Sequence, residues 1–504
     1  MALQIHDTLA GAKRPFETLE PGKVRMYVCG VTPYAPCHIG HARCYVAWDV
    51  IYRYLRFSGL AVTYVRNFTD VDDKIIKRAQ ERGLDPLDLA NEFIASFYAD
   101  MDALGIARPH HEPRVSASIG AIVELVQRLV QRDLAYAVDG DVYYAVEKFD
   151  GYGKLSKRSL DDMQAGARVE VDPRKRNPMD FALWKTAKPG EPSWDSPWGK
   201  GRPGWHIECS AMSMGLLGET FDLHGGGRDL VFPHHENEIA QSEGASGKPY
   251  ARYWAHNGFI NIDAQKMSKS LGNVFDVADI LRRYEPQVLR YFLMTGSNYR
   301  DPINFSDGML DEAAGRVAYY YETLRKAADF LAESLGAFEG PLPGIQTIDA
   351  LEARFREAMD DDFATVRAIV PVIEGFKLLN ELMVTRKAKK RAAAQASARK
   401  LMATLIKVDE VLNVFGEPPA EYLARHRAKA AERRGVDTEW VARRIADRVA
   451  ARVGRDWAEA DAIRDELLAG GIVLMDHADG TDWSVDDVVA LAAGGTHTGE
   501  AATE

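Results

Sequence analysis

The sequence predicts an α/β protein with a parallel sheet covered by helices, followed by a helical block and a small domain. The first observation is a βαβ unit. "KVRMYVC", residues 23–29, predicts a strand; the loop "GVTPYAPC" and the helix "HIGHARCYVAWDVIYRYLRFSG" lead to a second strand, "AVTYVRNFT". Strands joined through a helix typically pair in parallel. The second observation is that helix–strand alternation resumes at "WHIECSAMSMGLLG" and continues to about residue 310.

Changes in composition predict where the domains begin and end. The stretch "KPGEPSWDSPWGKGRPG" is rich in Pro, Gly and Trp, which indicates an insertion of hairpins and loops. The chain after residue 310 is rich in Ala, Arg and Glu, which indicates helices. The predicted segments are the first half of the α/β domain (1–135), the insertion (136–200), the second half (201–310), a helical bundle (311–415), a small C-terminal domain (416–490) and a disordered tail (491–504).

Composition and charge exclude some classes of protein. The net charge of −11 over 504 residues argues against a general nucleic-acid coat, but residues 421–455 hold ten Lys or Arg against five Asp or Glu. No apolar run approaches the roughly 18 residues of a membrane span, and "MALQIHDTLAG" lacks the pattern of a signal peptide. We therefore expect a cytoplasmic protein that forms no disulfides. Its cysteines are Cys29, Cys37, Cys44 and Cys209.

The motif "CHIGH", residues 37–41, lies where the first loop becomes the first helix. A helix N-terminus offers free N–H groups and partial positive charge, which favour a phosphate. His38 and His41 are three residues apart and share a helix face, so each can donate to phosphoryl oxygens. Gly40 leaves room for a base or ribose. Two histidines that only cap the helix are an equally good explanation of this motif taken alone.

The motif "KMSKS", residues 266–270, predicts a polar cationic loop. Lys266 and Lys269 can neutralise a triphosphate as pyrophosphate leaves. An exposed basic turn is the alternative. It becomes the weaker one because both motifs occur in this order in a βα-patterned chain.

Together the two motifs resemble the signature of class I aminoacyl-tRNA synthetases, and their surroundings resemble the cysteinyl-tRNA synthetase family within that class. The resemblance implies a Rossmann-type, doubly wound catalytic domain with an insertion. It also implies that ATP, with Mg²⁺, activates L-cysteine to the adenylate, which is then transferred to tRNA(Cys). The matching stretches are "YVCGVTPYAPCHIGHAR", "RNFTDVDDKII", "YGKLSKRS", "KRNPMDFALWK", "GRPGWHIECSAMS", "DLHGGGRDLVFPHHENEIAQSE", "HNGFINIDAQKMSKSLGN", "DDDFATVRA" and, more weakly, "DWAEADAIRDELLAGGIVLMDHADGTDW".

The resemblance also implies one Zn²⁺ per chain, held by Cys29, Cys209, His234 and Glu238. His234 and Glu238 are i and i+4 in "FPHHENEIA" and share a helix face, which leaves His235 and Glu236 pointing elsewhere. Two thiolates, an imidazole and a carboxylate are a plausible zinc set. Spacing alone is weak support, since buried packing also explains a cysteine. Cys37 and Cys44 are expected to be packing residues.

A zinc ion would solve a problem of selectivity, because cysteine and serine differ by one atom. A hydrophobic pocket does not separate such a pair by the roughly 10⁴-fold that translation needs, whereas zinc favours the thiolate. The insertion is too short and too loop-rich for an editing domain. The other residues expected at the adenylate are Gly40, Asn67, Thr69, Gly227 and Asp229, with Trp205 and Thr69 at the amino acid and Lys269 at the phosphates.

The C-terminal blocks resemble the family's tRNA-binding bundle and anticodon reader. Trp440, Trp457 or Trp483 can stack on unpaired bases, although core packing is the better explanation of any single one. At Met475 the family commonly has an acidic residue. We expect a monomer.

Two other functions fit part of the pattern. A ligase that joins cysteine to an aminosugar would share the catalytic core and the zinc but would not need the residues after 415. A non-catalytic RNA-binding paralogue would have lost signature residues, and these are intact.

Overall fold

The structure, a computed structural model, describes residues 2–159, 172–262, 265–266, 275–477 and 480–485. The chain divides into two compact units. The first consists of residues 1–277, 296–303 and 356–368, and the second of residues 278–295, 304–355 and 369–504.

Up to residue 266 the strands are β1 (Gln4–Asp7), β2 (Ala12–Pro15), β3 (Lys23–Val31), β4 (Ala61–Phe68), β5 (Ala135–Val138), β6 (Asp141–Tyr144), β7 (Phe181–Thr186), β8 (Gly201–Pro203), β9 (Phe221–Gly227), β10 (Ala251–Asn257), β11 (Ile260–Ile262) and β12 (Gln265–Lys266). The helices there are α1 (Ile39–Phe57), α2 (Asp73–Arg82), α3 (Pro86–Ala103), α4 (Ile119–Gln131), α5 (Trp205–Leu217) and α6 (Glu236–Ser246).

From residue 277 the helices are α7 (Val277–Arg283), α8 (Pro286–Thr295), α9 (Asp307–Ala332), α10 (Ile345–Met359), α11 (Thr365–Met383), α12 (Ala388–Leu412), α13 (Pro419–Arg434), α14 (Thr438–Val453) and α15 (Trp457–Ala469). The strands are β13 (Ile303–Phe305), β14 (Ile472–His477) and β15 (Gly480–Val485). Among the described residues, none of the helices combines the length and the apolar composition of a membrane span.

The central sheet of the first unit is parallel, with strand order β10-β9-β3-β4. Val28 of β3 is in register with Gly225 of β9, where a Cβ would lie 2.1 Å from the ring of Trp48, so α1 covers this face. Cys29 points to the opposite face and clusters there with Cys209 of α5. Helices therefore cover both faces, which confirms the predicted doubly wound α/β fold.

Strands β5, β6, β7 and β8 form an antiparallel four-stranded sheet in that order. Val142, Leu183 and Trp184 from this sheet are fully buried in a core that also contains residues of α4 and α5. The predicted insertion of hairpins is thus a sheet with its own packed face.

The second unit is mainly helical. Tyr321 of α9 and Tyr422 of α13 stack with ring centroids 3.7 Å apart, and both are fully buried. A smaller cluster joins Ala430 and Ala431 of α13 to α14, α15 and the β14–β15 hairpin. Helix α13 is therefore shared between the long helices before it and the small C-terminal cluster after it. The six-segment division in the sequence analysis stays a prediction.

Candidate active site and metal centre

Four buried donors, each from a different segment, converge below the carboxyl end of β3. They are Cys29 of β3, Cys209 of α5, His234 of the short segment Val231–His235, and Glu238 of α6. Their ligating atoms all lie within 4.8 Å of one another. The two sulfurs are 3.8 Å apart, and Glu238 Oε1 is 3.1 Å from His234 Nε2 and 3.6 Å from Cys29 Sγ. The four predicted zinc ligands thus lie together.

This donor set fits a tetrahedral zinc ion. Two thiolates bound to one zinc at about 2.3 Å are about 3.8 Å apart in tetrahedral geometry, which is the separation of the two cysteine sulfurs. Neither cysteine is in a disulfide. Sulfur, imidazole and carboxylate are the ligand types of protein zinc sites.

His235 does not point away from this cluster, so that prediction is wrong. Its Nε2 lies 3.3 Å from Cys29 Sγ, and Cys29, His224, His235 and Glu238 form a second possible donor set. The regular helix begins only at Glu236; before it, Phe232 has extended backbone angles, φ −143° and ψ 133°. Regular helical spacing therefore applies only from Glu236 onward, and the directions of the histidines before it do not follow from that spacing. Glu236 does point elsewhere, since its carboxylate accepts the amide of Ser156 at 2.7 Å.

Residues around the cluster fix the orientation of its ligands. His206 Nδ1 lies 3.0 Å from His234 Nδ1. His224 Nε2 lies 2.8 Å from Glu238 Oε2, to which Tyr250 donates a hydrogen bond of 3.0 Å. Such outer contacts hold ligands in place. Sequence reasoning missed all three, because only their positions in α5, in β9 and just before β10 bring them here.

Two of the four donors favour the anionic forms that bind a cation. The other two shift toward protonated forms: burial raises the pKa of Cys29, and at His234 the carboxylate of Glu238 outweighs the effect of burial and raises the pKa to about 10. A hydrogen bond from Cys29 lowers the pKa of Cys209 to about 6. Burial acts against the charged form of Glu238, but His224 and His234 hold the pKa of that carboxyl well below its usual range. Metal ligation needs deprotonated donors, and these two favour their anionic forms.

A cavity of about 370 Å³ opens beside the cluster. Cys29, His38, His41, Gly40 and Trp205 line it. The rings of His38 and His41 stack at 3.7 Å at the start of α1. The predicted phosphate-binding histidines thus share one cavity with a residue of the metal cluster.

Trp205 is not a core residue. It is 39% exposed and stacks on His234 with ring centroids 4.4 Å apart. Gly227 and Asp229 also line the cavity. Gly225, two residues before Gly227, makes room for the ring of Trp48.

Asn67 and Thr69 are buried behind the wall of the cavity. Asn67 Oδ1 accepts the amide of Gly30 at 2.8 Å, and its Nδ2 donates to Thr69 Oγ1. A Cβ on Gly30 would lie 1.5 Å from Asn67 O, so only glycine fits there. Contact of either residue with a substrate stays a prediction. Cys44 also lines the cavity; burial raises its pKa to about 12, so its thiol stays protonated.

Comparisons with known proteins agree on one family. Residues 15–315 match the family described as "tRNA synthetases class I (C) catalytic domain", and residues 354–416 match the "DALR domain". The cysteine--tRNA ligase of Anaeromyxobacter dehalogenans (strain 2CP-C) is 56% identical over 492 residues, 96% of this chain and all of that protein. The chain belongs to the cysteine--tRNA ligase family.

Other family members match over similar lengths. The cysteine--tRNA ligases of Syntrophotalea carbinolica and Geobacter sulfurreducens are 53% and 52% identical over 486 residues, covering 96% of this chain and 99–100% of theirs. Among solved structures, Mycobacterium tuberculosis methionyl-tRNA synthetase in complex with methionyl-adenylate covers 80% of this chain and 93% of its own, with a TM-score of 0.59 and 17% identity. That likeness shows a shared class I synthetase fold.

The second signature motif of this family member lies mostly outside the described residues. Lys269 lies outside the described residues. Only the backbone of Lys266 is described, and it pairs in register with Asn261. After this motif, the chain returns to the first signature motif, residues 37–41. Ile39 donates its amide to Phe275 O at 2.9 Å, and Val277 donates to Cys37 O at 2.8 Å.

The basic stretch 421–455 is less available than its composition suggests. Arg425 pairs with Glu285, and Arg448 and Arg452 pair with Asp476. Of the three tryptophans, Trp457 is 59% exposed, whereas Trp440 and Trp483 pack against the C-terminal cluster. Trp457 is therefore the one most accessible to a base. The predicted tail, 491–504, lies outside the described residues.

Proposed function

We propose that the chain activates L-cysteine with ATP to cysteinyl-adenylate and transfers the cysteinyl group to tRNA(Cys). One observation carries the proposal: Cys29 belongs to the buried donor cluster and also lines the cavity of His38 and His41. An amino acid whose side chain reaches the cluster would place its carboxylate toward the histidines. The full-length match to cysteine--tRNA ligases supports the same function and does not favour the aminosugar ligase.

Cys29, Cys209, His234 and Glu238 would hold one Zn²⁺, which binds thiolate far more readily than alkoxide and so separates cysteine from serine. Trp205, stacked on His234, would close the amino-acid side of the cavity. Thr69 and Asn67 would keep Gly30 and the cluster in position.

Adenylate formation needs no covalent nucleophile from the protein. The cysteine carboxylate would attack the α-phosphate of ATP, carried with Mg²⁺, and pyrophosphate would leave. His38 and His41 would donate to the phosphates, Gly40 would admit the base, and Gly227 and Asp229 would hold the ribose. Lys266 and Lys269 would neutralise the departing charge. Positioning and charge stabilisation would supply the rate. A monomeric state and a cytoplasmic location stay predictions.

Cysteine-dependent exchange of pyrophosphate into ATP tests the activation step, and acylation of a tRNA(Cys) transcript tests the transfer. We expect both with cysteine and neither at a useful rate with serine. Exchange without acylation would reject the tRNA ligase, and failure of both reactions in a folded, zinc-loaded protein would reject the proposal as a whole.

Truncation after Gly435 separates the two steps. This truncation keeps helix α13, so Tyr422 still stacks on Tyr321. A truncation at residue 415 would remove Tyr422 and expose the ring of Tyr321. We expect pyrophosphate exchange to be unchanged and charging to fall by at least about 100-fold, because base-stacking and phosphate contacts are worth about 1–3 kcal/mol each. Circular dichroism checks folding. A folded truncated enzyme that charges normally would show that residues after 435 do not read tRNA.

A further inference from the structure

One buried arginine of the first signature helix has no part in the proposed mechanism. Arg43 lies in α1 and is 1% exposed. Its Nη2 donates to Asn298 O at 2.7 Å, to Ser297 Oγ at 3.2 Å and to Asp301 O at 3.3 Å. A buried charge is costly unless its donors are paired. All three acceptors lie in residues 296–302, which we call the Asn298 loop, so one guanidinium holds this loop against the helix.

The Asn298 loop supports one wall of the proposed adenylate cavity. Residues 257–260 form this wall. Gly258 donates its amide to Tyr299 O at 2.8 Å, and a Cβ on Gly258 would lie 2.3 Å from Asp301 O. Wall and loop therefore touch through their backbones, with no room for a side chain between them. Because Asp301 O also accepts from Arg43, a shift of the loop moves the wall of the cavity.

The same wall leads into the second signature motif. Strand β11 begins at Ile260, the last residue of the wall. It pairs antiparallel with β12, where Lys266 is in register with Asn261. The backbone of Lys266 is thus connected to Arg43 through one strand pair, the wall and the Asn298 loop. The positions of both signature motifs therefore depend on this loop.

Asp362 holds the other side of the Asn298 loop. This buried carboxylate accepts a hydrogen bond from the hydroxyl of Tyr299 at 3.1 Å and one from Arg300 Nε at 2.7 Å. It also accepts the amide of His6 at 2.8 Å. Asp362 belongs to "DDDFATVRA", a stretch to which the proposed mechanism assigns no role. The loop is therefore fixed between two buried charged side chains, Arg43 and Asp362, that are far apart in the sequence.

We infer that Arg43 and Asp362 are positioning residues for adenylate formation. They fix the Asn298 loop, which holds the cavity wall and the strand pair that carries Lys266. The inference rests on the proposed function, which places ATP in this cavity. The described lining of the cavity includes neither side chain, so neither is expected to touch ATP or cysteine. Zinc and cysteine binding should not depend on them, because the metal cluster is built on other segments.

Arg43→Lys tests the inference in the full-length, zinc-loaded enzyme, because lysine keeps the positive charge but loses the guanidinium fork. We expect the kcat of pyrophosphate exchange to fall about 10- to 100-fold, since a displacement of about 1 Å caused far from the reacting atoms can cost about 10²-fold. The KM for ATP should rise at the same time. Zinc content by metal analysis and cysteine affinity by calorimetry should stay within about twofold.

Two further variants disturb the same loop from other sides. Gly258→Ala pushes a methyl group against Asp301 O and should reproduce the loss of kcat with cysteine affinity unchanged. Combined with Arg43→Lys it should cost little more than either change alone, because both act through one contact. Asp362→Asn should lower kcat about tenfold, the usual cost of weakening a hydrogen bond to a charged group. If Arg43→Lys does not fold, Gly258→Ala decides by the same criteria.

Arg53→Lys is the matched control for a general loss of stability. Arg53 lies in the same helix and donates to Asp49 Oδ2 and Gly105 O, which are outside the Asn298 loop. It should lower the melting temperature but leave exchange kinetics within about twofold. Equal kinetic losses in Arg43→Lys and Arg53→Lys would overturn the inference, as would unchanged exchange in folded Arg43→Lys or a loss confined to cysteine affinity. In each case the unmodified enzyme still activates cysteine, so the proposed function would stand.

Discussion

Replacing Cys209 by serine is expected to remove bound zinc and, with it, most cysteine activation. Cys209 supplies one of four buried donors within 4.8 Å of one another, and a hydroxyl does not ionise to replace its thiolate. Removing a residue that only orients a metal ligand typically lowers metal affinity about 10–100-fold. Removing a ligand itself should therefore lower zinc affinity by more than about 100-fold. Metal analysis of the purified protein and competition with a chromogenic chelator measure the effect without any activity assay.

Cys44→Ser is the matched control, because Cys44 lines the cavity but lies outside both possible donor sets. It should retain one zinc per chain. His234→Ala and His235→Ala then distinguish the two donor sets. If His234→Ala loses zinc and His235→Ala retains it, the predicted donor set is supported. The reverse result supports the donor set that contains His224. Full zinc content in Cys209→Ser would reject the assignment.

Lys269→Ala is expected to slow adenylate formation by about 10²–10³-fold, the usual cost of losing one group that stabilises developing charge. The effect should fall on the chemical step, with little change in cysteine binding, because the lysine acts on departing pyrophosphate. Single-turnover formation of the adenylate measures it.

Lys269→Arg, which keeps the positive charge, should recover part of the rate, whereas Lys77→Ala, which removes an exposed cation of α2 outside the cavity lining, should not alter it. An unchanged chemical step in Lys269→Ala would remove the lysine from the proposed mechanism.

Local pattern was enough for the βαβ unit and for an insertion of hairpins, but not for the candidate ligands. Strand β3, helix α1 and strand β4 follow from alternation, from helical periodicity and from turn residues between them, all of which act within a few residues. Cys29, Cys209, His234 and Glu238 were identified through family resemblance, because no local spacing connects segments this far apart.

The tertiary structure decided what depends on distant neighbours. It brings His235 and His224 to the cluster, because an irregular segment and the register of β9 with β3 set their directions. It also pairs part of the basic stretch 421–455 with carboxylates from outside that stretch, such as Glu285 and Asp476, so the charge of the stretch could not be judged from its own composition. It holds the Asn298 loop between side chains from distant parts of the sequence. Sequence determines residue chemistry and short-range periodicity, whereas packing alone determines which charges meet and which remain open to a ligand.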